Sequence, residues 1–338
     1  MLIDLPELFA RTHIVSLPLR TRFRGVTHRE AALFAGTATV AGQPVWSEFS
    51  PFLEYEVPEA ATWLAAALEY GFDPALPRFE SGSVLVNATV PAVTAAEVPR
   101  VLARFGNCEV VKVKVAEAGQ QLRDDLERLE AVQDALPGAR VRIDANCGWS
   151  LDAAEDALVA IAAAGIDLEY AEQPVATVSE LAQLRDRLRQ RGIATRIAAD
   201  ESVRKASDPL AVARAGAADH VVVKVQPLGG IARAAEVVAQ TGLSATVSSA
   251  LETSVGTVMG AQLAARMPEP RFAAGLGTVS LFAADVLEHP RVPENGRISL
   301  APAVPSAALL AEHAAAPERQ QWWRERITHC YQHLAANE

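Results

Sequence analysis

A closed α/β barrel preceded by a smaller α+β unit is the fold this sequence predicts, and three observations carry the prediction. From SVLVNATVPAV onward, short apolar runs alternate with helical stretches such as DDLERLEAVQDAL, AAEDALVAIAAAG and ELAQLRDRLRQRG. The strand-like runs fall at 84–91, 109–115, 141–146, 167–172, 196–200, 220–225, 244–249 and 272–276, and so regular a series favours a barrel over an open sheet. Residues 1–80 lack that alternation and read as a separate unit.

In chain order, EAALFAGTATV and PVWSEFSPF suggest antiparallel strands, and PEAATWLAAALEYG a helix after them. This gives an α+β unit over residues 1–80 and a barrel over 81–285. Beyond 285 the chain turns Pro-rich (EHPRVPENGRISLAPAVP) and then ends in a polar helix. Residues 286–338 are expected to return to that first unit, with Trp322 and Trp323 packing there. No repeat beyond the βα period is present.

Composition narrows the function. The chain has 338 residues, half of them apolar, and a net charge of −10, which argues against a general nucleic-acid role. The first residues, MLIDLPELFA, carry acids where a secretory leader has a basic segment. ALVAIAAAGI is too short to span a bilayer. Three cysteines without a CxxC pair suggest a reducing cytoplasm. The expectation is a cytoplasmic enzyme acting on a small molecule, with no nucleic-acid or membrane partner.

The chemistry lies in the barrel strands. Asp144 (VRIDAN), Glu172 (LEYAEQP) and Asp200 (RIAADES) recur every 28 residues, each at the end of a strand. Lys112 and Lys114 (VVKVKV) precede them, and Lys224 (HVVVKVQ) follows, at nearly the same step. That step is one strand plus one crossover helix, so each strand of a parallel array delivers a charge. Side chains alternate across a strand, so Lys112 and Lys114 share one face, and Val111, Val113 and Val115 the other. A single Lys or Asp near a strand end is ordinarily a solvated group. Six at this period, where burial of charge is costly, read as a site at the carboxyl ends of the barrel strands.

Three carboxylates without His or Cys suit Mg²⁺, or Mn²⁺, rather than zinc. Abstracting a proton beside a carboxylate creates an enediolate that needs a cation at its developing charge. An amine acts as base only when part of it is neutral, and Lys112 beside Lys114, together with burial, favours that form. The pattern therefore predicts carbon-acid chemistry.

At these residues the chain resembles the enolase superfamily. KVK, DAN, EQP, DES and VKVQPLGG are similar to its muconate-lactonizing subgroup, over the whole chain. The resemblance implies a (β/α)7β TIM-like barrel over 81–285, with residues 1–80 as an α+β capping domain to which the segment 286–338 returns. SSALETSVG and GLGTVSLF resemble the branch that forms o-succinylbenzoate in menaquinone biosynthesis. The resemblance implies Mg²⁺-dependent syn dehydration of 2-succinyl-6-hydroxy-2,4-cyclohexadiene-1-carboxylate. It implies that Asp144, Glu172 and Asp200 bind the metal, that Lys114 is the base, and that Lys112 helps hold the substrate carboxylate. Lys224 would stabilise the enediolate from the opposite side. Ser248 and Ser249, with the backbone at Gly275 and Leu276, would receive the succinyl arm. Dipeptide epimerases of the subgroup carry an acidic motif where this chain has Gly275-Leu276-Gly277, and mandelate-racemase relatives use a His base. Racemases of N-succinylamino acids share both lysines and the metal ligands and are the alternative. A non-catalytic binding barrel is a third reading, against which all six charged positions are intact.

Three weaker features have ordinary explanations beside the functional ones. LRTRFRGVTHRE is either a lid offering Arg20, Arg22 or Arg24 to an anionic substrate, or a solvated turn. PLGG at 227–230 reads as a phosphate loop or, more commonly, a plain βα turn. His329, Cys330 and His333 have helical metal spacing, but a terminal tail is expected to fray.

Overall fold

The structure, a computed structural model, describes residues 3–23, 26–204 and 208–337. Strands β1 (Thr12–Phe23), β2 (Val26–Val40) and β3 (Gln43–Phe49) form an antiparallel sheet in that order, followed by the helix Val57–Phe72. The middle of β2 is apolar on both faces because both are covered. Ala32 and Phe34 pack with Trp63 and Leu64 of that helix. Ala31 and Leu33 pack on Leu251, Val255 and Val258, which belong to the barrel. The helix crosses the sheet at two glycines: a Cβ on Gly36 would fall 1.9 Å from the Gly71 carbonyl oxygen.

The barrel begins with β4 (Ser83–Leu85) and continues through β5 (Ala88–Val90), β6 (Val110–Lys114), β7 (Arg140–Asp144), β8 (Leu168–Glu172), β9 (Ile197–Ala199), β10 (His220–Val223) and β11 (Ser244–Val247). Among the described residues β5 to β11 form one seven-stranded parallel sheet, each strand beside its successor in sequence. The intervening helices bury their apolar stripes on it, for example Leu158 and Ile161, then Leu181, Leu184 and Leu188. A strand expected over 272–276 is reduced to two bridged residues. Ala274 pairs with Val86 and Gly275 with Ser248, both in parallel. Hydrogen bonds from Asn87 N to Ala274 O (3.0 Å) and from Gly275 N to Val247 O (2.8 Å) close the ring there. The strand expected over 84–91 also divides. Its first part, β4, turns away to pair antiparallel with β12 (Arg297–Ser299) of the tail.

The tail then forms the helix Pro317–Ala335, which corrects the expectation of fraying. Trp323, Ile327 and Cys330 are fully buried in it. Trp323 meets Phe49 edge-on, with ring centroids 5.7 Å apart, and its indole N–H donates to Glu30 (2.7 Å). This burial, which a terminal position does not reveal, orders the helix. No helix among the described residues is long and apolar enough to cross a membrane.

Candidate active site

The parallel register sets the site. Lys114 of β6 lies beside Asp144 of β7, and Asp144 beside Glu172 of β8. Asp200 follows β9 directly, and Lys224 follows β10. The three carboxylates are about 1% exposed, and Lys112 and Lys224 are below a tenth. Lys114 is the most open, its side chain 22% exposed. Val111, Val113 and Val115 face the outer core as alternation requires.

The structure pairs all six charged residues, in two groups: Lys112, Lys114, Asp144 and Glu172 in one, Lys224 and Asp200 in the other. Lys112 Nζ donates to Asp144 Oδ2 at 3.1 Å and lies 3.2 Å from both Glu172 oxygens. Lys114 Nζ donates to the same Asp144 oxygen at 2.6 Å and to Asn146 Oδ1 at 2.7 Å. Lys224 Nζ donates to Asp200 Oδ2 at 2.6 Å. Burial pushes these carboxyls up, and the neighbouring charges oppose it to different extents. Lys114 and Lys112 outweigh it at Asp144 and hold that carboxyl well below the usual range. Lys224 and Arg204 do the same for Asp200. At Glu172, burial and the neighbouring Asp144 charge prevail over Lys112, and the carboxyl rises to about 7. Burial pulls the Lys112 ammonium down, but Glu172 and Asp144 more than offset it. At Lys224 burial wins over Asp200, so its amine gives up a proton more readily than an exposed lysine.

Each carboxylate is turned to an amine, so no three described His, Cys, Asp or Glu side chains gather round one point as ligands would. The donors still fit a hard divalent cation. All are carboxylate oxygens, and one positive centre, the Lys112 ammonium, already bridges two of the three.

Neighbouring residues that sequence reasoning did not single out fix these positions. Gln173 adopts a left-handed conformation (φ 38°), and its side chain spans two loops. It accepts from the backbone N–H of Asp200 (3.0 Å) and Ser202 (3.2 Å) and donates to Val175 O (2.9 Å). Arg204 holds the second Asp200 oxygen (3.1 Å) and also reaches Glu201 and the Tyr55 hydroxyl of the capping domain. Fully buried Arg128 donates to the Lys114 carbonyl (2.9 Å). Gln173 lies inside the EQP motif, and that motif was its signal. Arg128 and Arg204 look like ordinary helix charges in the sequence.

The residues expected around a substrate arm meet at the barrel seam. A Cβ on Gly275 would fall 2.6 Å from Ser248 Oγ, so only glycine leaves that hydroxyl room. Ser249 Oγ is 2.5 Å from Thr278 Oγ1, and Ser249 N donates to Gly275 O (3.0 Å). The Leu276 side chain packs against Gly260 in the core. Arg20 lines a cavity of about 310 Å³ with Val279, Ser280 and Phe282; Arg24 and the Arg22 side chain lie outside the described residues. At PLGG, both glycines have left-handed φ (89° and 136°), and the helix amides beyond them are already used. Glu69 of the capping helix accepts from Ile231 N (2.5 Å) and Ala232 N (3.0 Å), which answers the phosphate-loop reading.

Residues 14–71 match the Enolase N-terminal domain-like family, and residues 93–305 the Enolase C-terminal domain-like family. The chain belongs to the enolase superfamily. Within this superfamily it is 52% identical, over 327 residues and 97% of each chain, to the o-succinylbenzoate synthase of Mycolicibacterium smegmatis. It is 49% identical to that of Mycobacterium leprae, covering 98% of this chain and 94% of the relative. Among solved enolase-superfamily structures, 2-chloromuconate cycloisomerase from Rhodococcus opacus matches with a TM-score of 0.72 at 21% identity, covering 90% and 98% of the two chains. The L-Ala-D/L-Glu epimerase from Bacillus subtilis matches with a TM-score of 0.70 at 20% identity, covering 88% and 96%. These distant structures establish the barrel fold.

Proposed function

We propose that this chain is an o-succinylbenzoate synthase, dehydrating 2-succinyl-6-hydroxy-2,4-cyclohexadiene-1-carboxylate to o-succinylbenzoate in menaquinone biosynthesis. One observation carries the reading. Lys114 and Lys224, four strands apart, flank three buried carboxylates, in a chain about half identical to such synthases over nearly its whole length. Asp144, Glu172 and Asp200 would hold Mg²⁺, which would supply positive charge where enediolate oxygens develop. Lys114 takes the proton alpha to the carboxylate, and the electron pair passes into the enediolate. The hydroxyl on the adjacent carbon then leaves from the same face, accepting a proton from Lys114 as it departs as water. Lys112 steadies the carboxylate, and Lys224 faces the enediolate from across the barrel. Ser248, Ser249 and the backbone of Gly275 and Leu276 receive the succinyl arm. Residues 1–80 serve as cap, 81–285 as catalytic barrel and 286–338 as the segment that returns to the cap. Three free cysteines support a reducing, cytoplasmic setting.

The amine of Lys224 also suits a second base, since its burial favours the neutral form, and this favours racemisation of N-succinylamino acids as the second reading. Absorbance assays of the diene carboxylate with Mg²⁺ and with EDTA, beside polarimetry on N-succinylamino acids, separate the two. Fast aromatisation abolished by EDTA is expected, and racemisation without aromatisation would replace the proposed substrate.

A further inference from the structure

We propose that Arg29 and Glu48, buried residues of the capping sheet, are positioning residues for the Ser248–Leu251 turn, so that the docked cap completes the succinyl-arm pocket. The inference rests on the function proposed above. Immediately after the two serines the chain leaves β11 through Leu251, whose φ is 65°. A leucine in the left-handed region is strained and persists only where its surroundings hold it.

Arg29 supplies that hold. Its Nε donates to Leu251 O (3.0 Å), and Nη2 reaches Ala250 O (3.5 Å) and the Ser50 carbonyl. The guanidinium lies 4.5 Å from the Phe52 ring centre and is 4% exposed. Glu48 fixes the other end of the turn. Its carboxylate, fully buried, accepts from Thr253 N (3.1 Å), Thr253 Oγ1 (2.6 Å) and Gly256 N (2.9 Å), at the start of the helix Ser254–Ala264. Its other oxygen accepts from Ser50 Oγ (2.7 Å), tying the anchor back to the cap.

The turn is therefore gripped at 250–251 and again at 253–256, both times from the cap. Its shape reaches the serines directly, because Leu251 N donates to Ser249 Oγ (3.3 Å). Rotating Leu251 out of the left-handed region withdraws that donor and frees the hydroxyl that meets Thr278.

Arg29→Lys keeps the charge but not the fork that spans several carbonyls, and Glu48→Gln replaces one acceptor oxygen with a donor. Both variants are compared with the wild type, Mg²⁺-loaded, in steady-state dehydration, in affinity for o-succinylbenzoate and for armless benzoate, and in amide exchange. We expect KM and the o-succinylbenzoate Kd to rise about tenfold, the scale of one lost hydrogen bond to a charged group, with kcat within about threefold. Benzoate affinity should hold, and exchange should accelerate at 249–253 while β6 and β7 stay protected. A merely structural role would lower kcat and Tm together and leave KM and both affinities unchanged, which overturns the proposal. Unchanged exchange at 249–253 in both variants overturns it as well, even if the wild type fails to turn over the diene. That failure would instead sink the proposed function. If Arg29→Lys does not fold, Glu48→Gln carries the same comparison.

Discussion

At the scale of single residues, the candidate site is a matter of which charges share an oxygen. Lys112 and Lys114 both donate to Oδ2 of Asp144, and Lys114 is the more open of the two. Lys114→Ala is expected to reduce dehydration by about 10²–10⁴-fold, the usual contribution of a general base. Its Tm should stay close to that of the wild type, because Lys112 still pairs Asp144; normal turnover would remove Lys114 as the base. A second titratable residue, His220, lies deep in the barrel and does different work. It stacks on Tyr170 and meets Phe272 edge-on, with its nitrogens against Ser244 Oγ (2.7 Å) and Thr246 Oγ1 (2.8 Å). Burial first, then Arg142 and Arg196, push its pKa down to about 3. The unfolded chain protonates His220 below about 6.5 while the folded one does not, so stability falls as pH drops from there toward 3. The slope from this group is about 1.4 kcal/mol per pH unit. Glu172, raised to about 7, contributes the opposite slope over the same window in both proteins, so the test is their difference. From pH 7 through 6 to 5, urea midpoints should fall further, or rise less, in the wild type than in His220→Phe; the same pH dependence in both would remove His220 as the cause.

Among the elements, the βα period was legible because each strand ends in a charge that a buried strand would otherwise exclude. That pattern located Lys114, Asp144 and Glu172 in adjacent register without any knowledge of the cap. What the sequence hid were contacts across long separations. The strand expected at 272–276 shrinks to Ala274 and Gly275 because the chain needs only two residues to bridge Val86 and Ser248. The 84–91 run breaks because Ser83–Leu85 finds a partner more than two hundred residues away, at Arg297–Ser299. Arg29 sits in LRTRFRGVTHRE, which reads as a lid or a solvated turn, and Glu48 in a run that reads as plain strand; nothing local shows that their partners lie near residue 250. The helix Ser254–Ala264 illustrates the cost of such contacts. A Cβ on Gly256 would fall 2.6 Å from Glu252 Cβ and 2.9 Å from Glu48 Oε2. Gly256→Ala should therefore destabilise the protein by about 1–3 kcal/mol through overpacking, although alanine is the better helix former. Thermal melts check this, and an unchanged or raised Tm would show that Glu48 can yield.

For the whole molecule, cap, barrel and tail are joined by buried polar contacts as well as by apolar area. Arg326 of the tail donates to the Phe52 and Tyr55 carbonyls (3.0 and 2.7 Å), and Tyr55 in turn meets Arg204 beside Asp200. The terminal helix is thereby linked through three residues to a proposed metal ligand. Glu48 and Glu69 make a comparable connection, each placing a cap carboxylate at the start of a barrel helix. A helix start attracts anions because its first amides have no partner within the helix. Seen from the barrel, the cap is an internal ligand that competes with any oxyanion in solution for those amides. Removing one carboxylate should turn that competition round. In Glu69→Ala, the Gly229–Gly230 turn and the free amides of Ile231 and Ala232 would form an empty anion receptor, and millimolar sulfate should raise the variant's Tm by several degrees while leaving the wild type unmoved. Equal responses would mean that these amides stay closed without Glu69. If sulfate raises the variant alone, the likeness of PLGG to a phosphate loop describes a binding capacity the chain has spent on holding itself together.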